Sequence, residues 1–199
     1  MALPPDTTAP RRRTRTVYYT AAMVDDLNAA VDARLPRYEC VYGELFVTMT
    51  PPRVWHQVVS QRLLLALAEY ARREPAAGYV GFSESKFTFG RVDVNVSPDI
   101  WAVRTDELRT LDWDALTVPL LLAEVLSPST KRRDRFPKRR AYMEAGVPVY
   151  WIVDADGRSV EVWTPGVDFP HVERERLVWH PEGAREPFTL ALAELFAPV

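Results

Sequence analysis

Hydrophobic positions change period several times along the chain, and the changes divide it into elements. Met23, Val24, Leu27 and Val31 fall on one helical face behind Thr20, a residue suited to capping a helix start. YECVYGELFVTM is two short β-type runs meeting at Gly43, which predicts a tight hairpin. Glu39 and Glu44 flank its turn, and Glu39 reads as an ordinary exposed strand residue. Pro51 and Pro52 end the second run. In VWHQVVSQRLLLALAEYARRE, residues Trp55, Val59, Leu63, Leu67 and Tyr70 recur at helical spacing, predicting a long amphipathic helix closed by Pro75 and Gly78. The period then shortens to that of strands. Phe87 and Phe89 alternate with polar residues, as do Val92, Val94 and Val96, and DIWAV opens a new strand with Asp99 at its head. TDELRTLDWDALTVP reads as an irregular, acidic, exposed connection.

The run LLLAEVL (120–126) is apolar over a strand's length, which predicts a strand buried on both faces. Glu124 stands in its middle, and a carboxylate there costs several kcal/mol unless it is paired, hydrogen-bonded or metal-bound. Ser-Pro-Ser-Thr breaks the strand, a basic segment follows, and GVPVYWIV is the next strand. Strand, helix and strand in this order form a βαβ unit, whose sites lie at strand carboxyl ends. Pro137 suits a first helical turn and Gly146 the position after a last one, so the helix is expected over about 137–145 with Lys138 near its start. Lys138 and Tyr142, four apart, share a face. Beyond Val153, DADG is a turn, VEVW an antiparallel strand, HVERERLVW one further strand, and FTLALAELF a short helix or apolar tail.

Composition narrows the setting. A net charge of −2 over 199 residues does not advertise a nucleic-acid partner, so any basic surface must be local. Cys40 is alone, which excludes an intramolecular disulfide or a cysteine-based zinc site and fits a reducing cytoplasm. No apolar run approaches the ~20 residues that span a bilayer, and the basic N-terminus has no hydrophobic stretch behind it. Residues 1–16, with Arg11, Arg12, Arg13 and Arg15, read as a disordered basic tail, and 17–199 as a single domain.

Asp99, Glu124 and Lys138 are the candidate chemistry. Two carboxylates meeting at strand ends form an oxygen-rich pocket suited to magnesium or manganese, and such an ion activates water against a phosphodiester. A nearby lysine can orient or deprotonate that water or offset transition-state charge. Taken singly, each has a plainer reading: Asp99 a turn cap, His56 a helix-start surface residue, the basic segment a solvated helix face.

The pieces YECVYGELFVT, SPDIWAV and LLLAEVLSPST, then Asp134, Lys138, Tyr142 and GVPVYWIVD, resemble the Uma-two family of restriction endonuclease domains, placed in the PD-(D/E)XK nuclease superfamily. The resemblance runs from about Thr20 to Trp163. It implies an α/β fold with a restriction-endonuclease-like core, a central mixed β-sheet flanked by helices, and magnesium-dependent cleavage of DNA. It makes Asp99 the first acid and Glu124 the second. The lysine of an E-x-K pattern should stand at 126, where this chain has Leu126, and the family's usual answer is a lysine displaced to the following helix, here Lys138. Glu44 and His56 are candidate accessory members. On this reading the metal is held by Asp99, Glu124 and the Val125 carbonyl, and Arg132, Arg133, Arg135, Arg139 and Arg140 contact DNA. Lys138 is then removable without loss of folding. A homodimer is expected, with strand edges around Val160, Val162 and Trp163 as its contacts. The alternative is a catalytically inactive DNA- or protein-binding module on the same fold.

Overall fold

The computed structural model describes residues 17–31 and 35–199; the basic tail expected over 1–16 lies outside them. Helix α1 (Ala21–Ala29) starts where Thr20 accepts a hydrogen bond from the Met23 amide. Strands β1 (Arg37–Val41) and β2 (Glu44–Thr48) form the expected hairpin. Its turn residues Tyr42 and Gly43 both have positive φ, 53° and 75°, the twist that two-residue hairpins favour. A side chain at Gly43 would also strike the Tyr18 ring, 2.3 Å from an ideal Cβ. The long helix α2 (Val54–Arg73) buries Val59, Leu63, Leu67 and Tyr70, the stripe its periodicity marks.

β3 (Tyr79–Phe82), β5 (Ile100–Val103), β6 (Leu121–Val125), β7 (Tyr150–Asp154), β8 (Ser159–Trp163) and β9 (His171–Glu173) make a six-stranded sheet in the order β3-β5-β6-β7-β8-β9. β6 and β7 are parallel, as the crossover between them requires, and the other pairs are antiparallel. The β1–β2 hairpin and β4 (Val94–Asn95) form a second, three-stranded sheet. A separate hairpin joins β10 (Arg176–Trp179) to β11 (Phe188–Ala191), and α4 (Leu192–Leu195) follows.

The central sheet is covered on both faces. Leu121, Ala123 and Val125 point to a core shared with α2, Trp151, Trp179 and Phe188, while Leu122 and Leu126 point to a second core holding Tyr142, Tyr150, Ile152 and Trp163. Side chains alternate along a strand, so Glu124 belongs to the second face, among apolar neighbours.

Four expectations change on folding. The helix after β6, α3, begins at Lys131, not near Pro137: it is α-helical over Lys131–Arg133, π-helical over Asp134–Lys138 and α-helical over Arg139–Glu144. The wide π turn accommodates Pro137, which has no amide to donate, and turns Asp134 and Lys138 inward, both buried. HVERERLVW is two strands in different sheets, β9 against β8 and β10 against β11; each has an exposed side, so the alternation runs on through the bend. The first part of FTLALAELF is strand β11, paired to β10. Finally, β8 is an interior strand flanked by β7 and β9, with Val160 and Trp163 buried, so the edge proposed for a homodimer is not an edge.

Candidate active site

A cleft of about 960 Å³ opens at the end of β6, between the β1–β2 hairpin, the start of α2 and the Ser127–Thr130 turn. Ile100 pairs with Ala123, and continuing that antiparallel register puts Asp99 opposite Glu124 at the cleft floor. Asp99 Oδ2 accepts a hydrogen bond from the Val125 amide at 2.8 Å and lies 3.2 Å from His56 Nε2. His56 stands in the first turn of α2, so the stripe that packs α2 on the sheet also brings this ring to Asp99. Glu124 Oε1 accepts from Lys138 Nζ at 2.6 Å and from the Tyr142 hydroxyl at 3.1 Å. The i, i+4 pair on α3 therefore grips one carboxylate oxygen. Lys138 Nζ also lies 2.7 Å from Glu39 Oε1. Glu39 Oε1 in turn accepts from the Ser97 amide, and its Oε2 meets Arg133 at 2.9 Å. In Asp99 and Glu124 alike, one oxygen is held by protein donors and the other accepts no hydrogen bond among the described residues. Both residues line the cleft.

The charges do not balance. Glu39, Asp99, Glu124 and Asp134 all feel the Lys138 charge, and the cluster sets these four acids against three fixed cations, Lys138, Arg133 and Arg37, with His56 a fourth only when protonated. Burial pushes every one of these carboxyls up. For Glu39 the Lys138 and Arg133 charges outweigh it and bring the group down to about 2. Glu124 shares Lys138 but faces Asp134, Asp99 and Glu39 besides, and goes up to about 8. The two directions differ because Glu39 is met directly by Arg133 as well as Lys138, whereas Glu124 touches Lys138 alone and faces three other acids. Burial likewise raises Asp134 despite Lys138 and Arg133. For Asp99, burial is outweighed by the hydrogen bond and charge of His56, and it is lowered. Burial lowers His56, but the hydrogen bond and charge of Asp99 together outweigh it, and the ring is raised. Burial opposes the charge on Lys138, yet Glu124 and Glu39 together raise it, so it stays an ammonium.

The structure therefore brings Asp99, Glu124, Lys138 and His56 together and leaves Glu44 out. Glu44 is exposed at the start of β2 and does not line the cleft. Glu39, read from the sequence as exposed, is 3% exposed and lies at the centre of the cluster. The signal was available: Glu39 shares a strand face with Val41, a core residue, and a carboxylate on such a face needs a partner. Lys138 is fully buried and does not line the cleft, which does not suit a group meant to take a proton there. Its side chain holds Glu124 from behind. Leu126, where an E-x-K lysine would stand, packs in the second core. Of the five arginines expected at DNA, only Arg133 lines the cleft, and it is engaged by Glu39. Arg135 bonds to Glu161 and Asp154, Arg139 lies 4.2 Å over the Trp163 ring, Arg140 bonds to Glu144, and Arg132 is exposed.

Among the described residues no three His, Cys, Asp or Glu side chains are grouped to hold a metal ion. The donor set still fits a hard divalent cation, since magnesium is commonly bound through one or two carboxylates with waters completing its shell. Asp99 and Glu124 supply the carboxylates, each with one oxygen uncommitted, and the acid excess supplies the charge. No helix among the described residues is long and apolar enough to cross a membrane.

A family model described as Uma2, putative restriction endonuclease, matches residues 24–195. The fold matches the crystal structure of a putative nuclease belonging to DUF820 from Anabaena variabilis ATCC 29413, with a TM-score of 0.69 and 20% identity over 87% of this chain and 97% of that one. At that identity the likeness is one of fold: the restriction-endonuclease-like arrangement of a mixed sheet between helices. No curated protein matches the chain.

Proposed function

We propose that this chain, which belongs to the Uma2 family of putative restriction endonucleases, hydrolyses phosphodiester bonds of DNA with a divalent metal ion, magnesium or manganese. Asp99 and Glu124 would hold the ion through their uncommitted oxygens, with the Val125 carbonyl and waters. The ion, when bound, lowers the pKa of a bound water and offsets charge on the phosphodiester. His56 orients Asp99. Lys138 and Tyr142 orient Glu124, and Lys138 carries a fixed positive charge behind it. Lys138 acts by position and charge, since an ammonium held between two carboxylates is a poor proton acceptor. The single observation that carries this reading is the pair of cleft carboxylates, each tied by one oxygen and open at the other, in a cluster with more acid than base.

The test is a cleavage assay on supercoiled, linear and single-stranded DNA with magnesium and with manganese. Wild type should cleave at least one of them in a metal-dependent manner, and Asp99→Asn and Glu124→Gln should each lose both cleavage and magnesium binding measured by calorimetry. A chain that binds DNA and neither cleaves it nor binds metal is instead the inactive binding module.

A further inference from the structure

We infer that the cleft carries a nucleobase subsite beside Asp99, formed by the ring of Phe82 and the amides of Gln57 and Gln61, which takes an unpaired base next to the phosphate being cut. The inference rests on the nuclease reading above and specifies its substrate: DNA with at least one unstacked nucleotide at the site, such as a single strand, a flap or a flipped base.

Phe82 is the last residue of β3, an edge strand of the central sheet. Its strand partner is Ile100, and the next amide, Ser83 N, donates to the Asp99 carbonyl at 3.0 Å. Neighbouring strands lie about 4.8 Å apart, so Phe82 is fixed within one nucleotide's reach of the candidate metal-binding acid. Phe82 is 63% exposed, joins neither hydrophobic core and stacks on no other ring among the described residues. Along β3, Val80 shares its face and packs on the α2 core, while a side chain at Gly81 would strike Trp101 on the opposite face. Phe82 therefore stands on the α2 side of the sheet, and α2 packs along β3.

Helix α2 contributes polar side chains to the same cleft. Gln57 and Gln61, one turn apart on α2, both line the cleft, and both are exposed. Neither side-chain amide has a hydrogen-bond partner among the described residues. A primary amide offers a donor and an acceptor side by side, the pattern that matches a base edge. An aromatic face offers stacking to any base. A ring and two free amides lining one cleft with acids suited to a metal are the parts from which a base pocket is made. A base can enter between them only with its π-face free, which excludes one stacked inside an intact duplex. The turn after Phe82 is also strained, with Ser83 and Glu84 at φ 40° and 43°, and such backbone is typical of places where a fold holds a fixed contact geometry.

The probe is a phosphorothioate single-stranded oligonucleotide carrying 2-aminopurine, titrated with the whole chain in magnesium, beside the fully paired duplex of the same sequence. For wild type, binding should quench the 2-aminopurine signal. Phe82→Ala should bind the single strand about ten-fold more weakly, the loss of one stacked base, without quenching, and Phe82→Trp should restore both. Duplex affinity should not change in either variant. Gln57→Ala with Gln61→Ala should weaken single-strand binding while keeping the quench. A Phe82→Ala chain that binds and quenches like wild type overturns the subsite, as does wild type that cleaves intact duplex at a rate indifferent to Phe82. In those cases the nuclease reading stands. A chain that binds neither single strand nor duplex overturns both.

Discussion

Lys138 is the residue whose removal the structure describes most fully, and Lys138→Met isolates its charge, since methionine keeps most of the buried stem. The ammonium lies 2.6 Å from Glu124 Oε1 and 2.7 Å from Glu39 Oε1, with no exposure to solvent. Removing one partner from a buried ion pair costs about 3–5 kcal/mol, because the charge left behind has neither water nor counterion. The displacement of Glu39 from 4.5 to about 2 gives a comparable figure, about 3 kcal/mol, shared among Lys138, Arg133 and Arg37. For a domain of this size that loss lowers Tm by about 6–20 °C. Its pH dependence follows from the same groups. Glu39 is lowered, so its contribution is present above its unfolded pKa, about 4.3, and is lost as pH falls toward about 2. Lys138 is raised, so its contribution is present below its unfolded value, about 10.4, and is lost as pH rises beyond it. The gap between wild type and Lys138→Met should therefore be present at neutral pH, close toward pH 2, and widen above about pH 8, where Glu124 ionises beside the missing cation. Urea unfolding followed by tryptophan fluorescence measures it, and adding Glu39→Gln to Lys138→Met should recover part of the loss. A variant less than about 1 kcal/mol weaker than wild type at pH 7, below the range for a broken buried pair, would refute the reading of Lys138 as a structural cation and return it to the removable lysine expected from sequence.

Magnesium competes with the proton on Glu124, whose carboxyl goes up to about 8, so affinity by calorimetry should rise toward pH 8 and flatten above it; a flat profile from about pH 6 to 9 would place the ion elsewhere, since a ligand that must lose a proton cannot give one. His56→Ala should leave Asp99 without its orienting partner and lower the cleavage rate on the order of tenfold, well under the loss expected of a proton-transfer group. Its stability deficit should be largest between about pH 4 and 6.5, because the lowered Asp99 contributes above its unfolded pKa and the raised His56 below its own. Equal stability of His56→Ala and wild type across that window would count against the pair. Glu39→Gln should destabilise at neutral pH by unpairing both Lys138 and Arg133, and the matched Glu44→Gln, at an exposed position, should change stability by less than about 0.5 kcal/mol.

Much of the fold was written in local pattern. Periodicity marked α2, the Gly43 hairpin, and the β6–α3–β7 crossover whose parallel pairing the structure bears out. Those features depend on neighbours within a few residues, on steric preference and on which positions must be apolar. The placing of Asp99 and Glu124 at one cleft was also legible, since each acid stood on or beside an apolar strand where an unpaired charge is costly. Local pattern placed the end of α3 but not its start, because a proline normally marks a helix start and only packing of Asp134 and Lys138 against the sheet makes a π turn around it worthwhile. It also ran β9 and β10 together, since both alternate in the same way and only their partners differ.

The centre of the site belongs to tertiary structure alone. Glu39 and Lys138 are nearly a hundred residues apart in sequence, and no propensity of either segment says that a strand of the small sheet will deliver one to the other. Once they meet, their burial and the number of acids around them decide which carboxyl keeps a proton and whether the lysine can serve as a base. Residue types and spacing determine which groups are present and on which faces they lie. Ionisation depends on distance, desolvation and neighbouring charge together, and these exist only when the chain has folded.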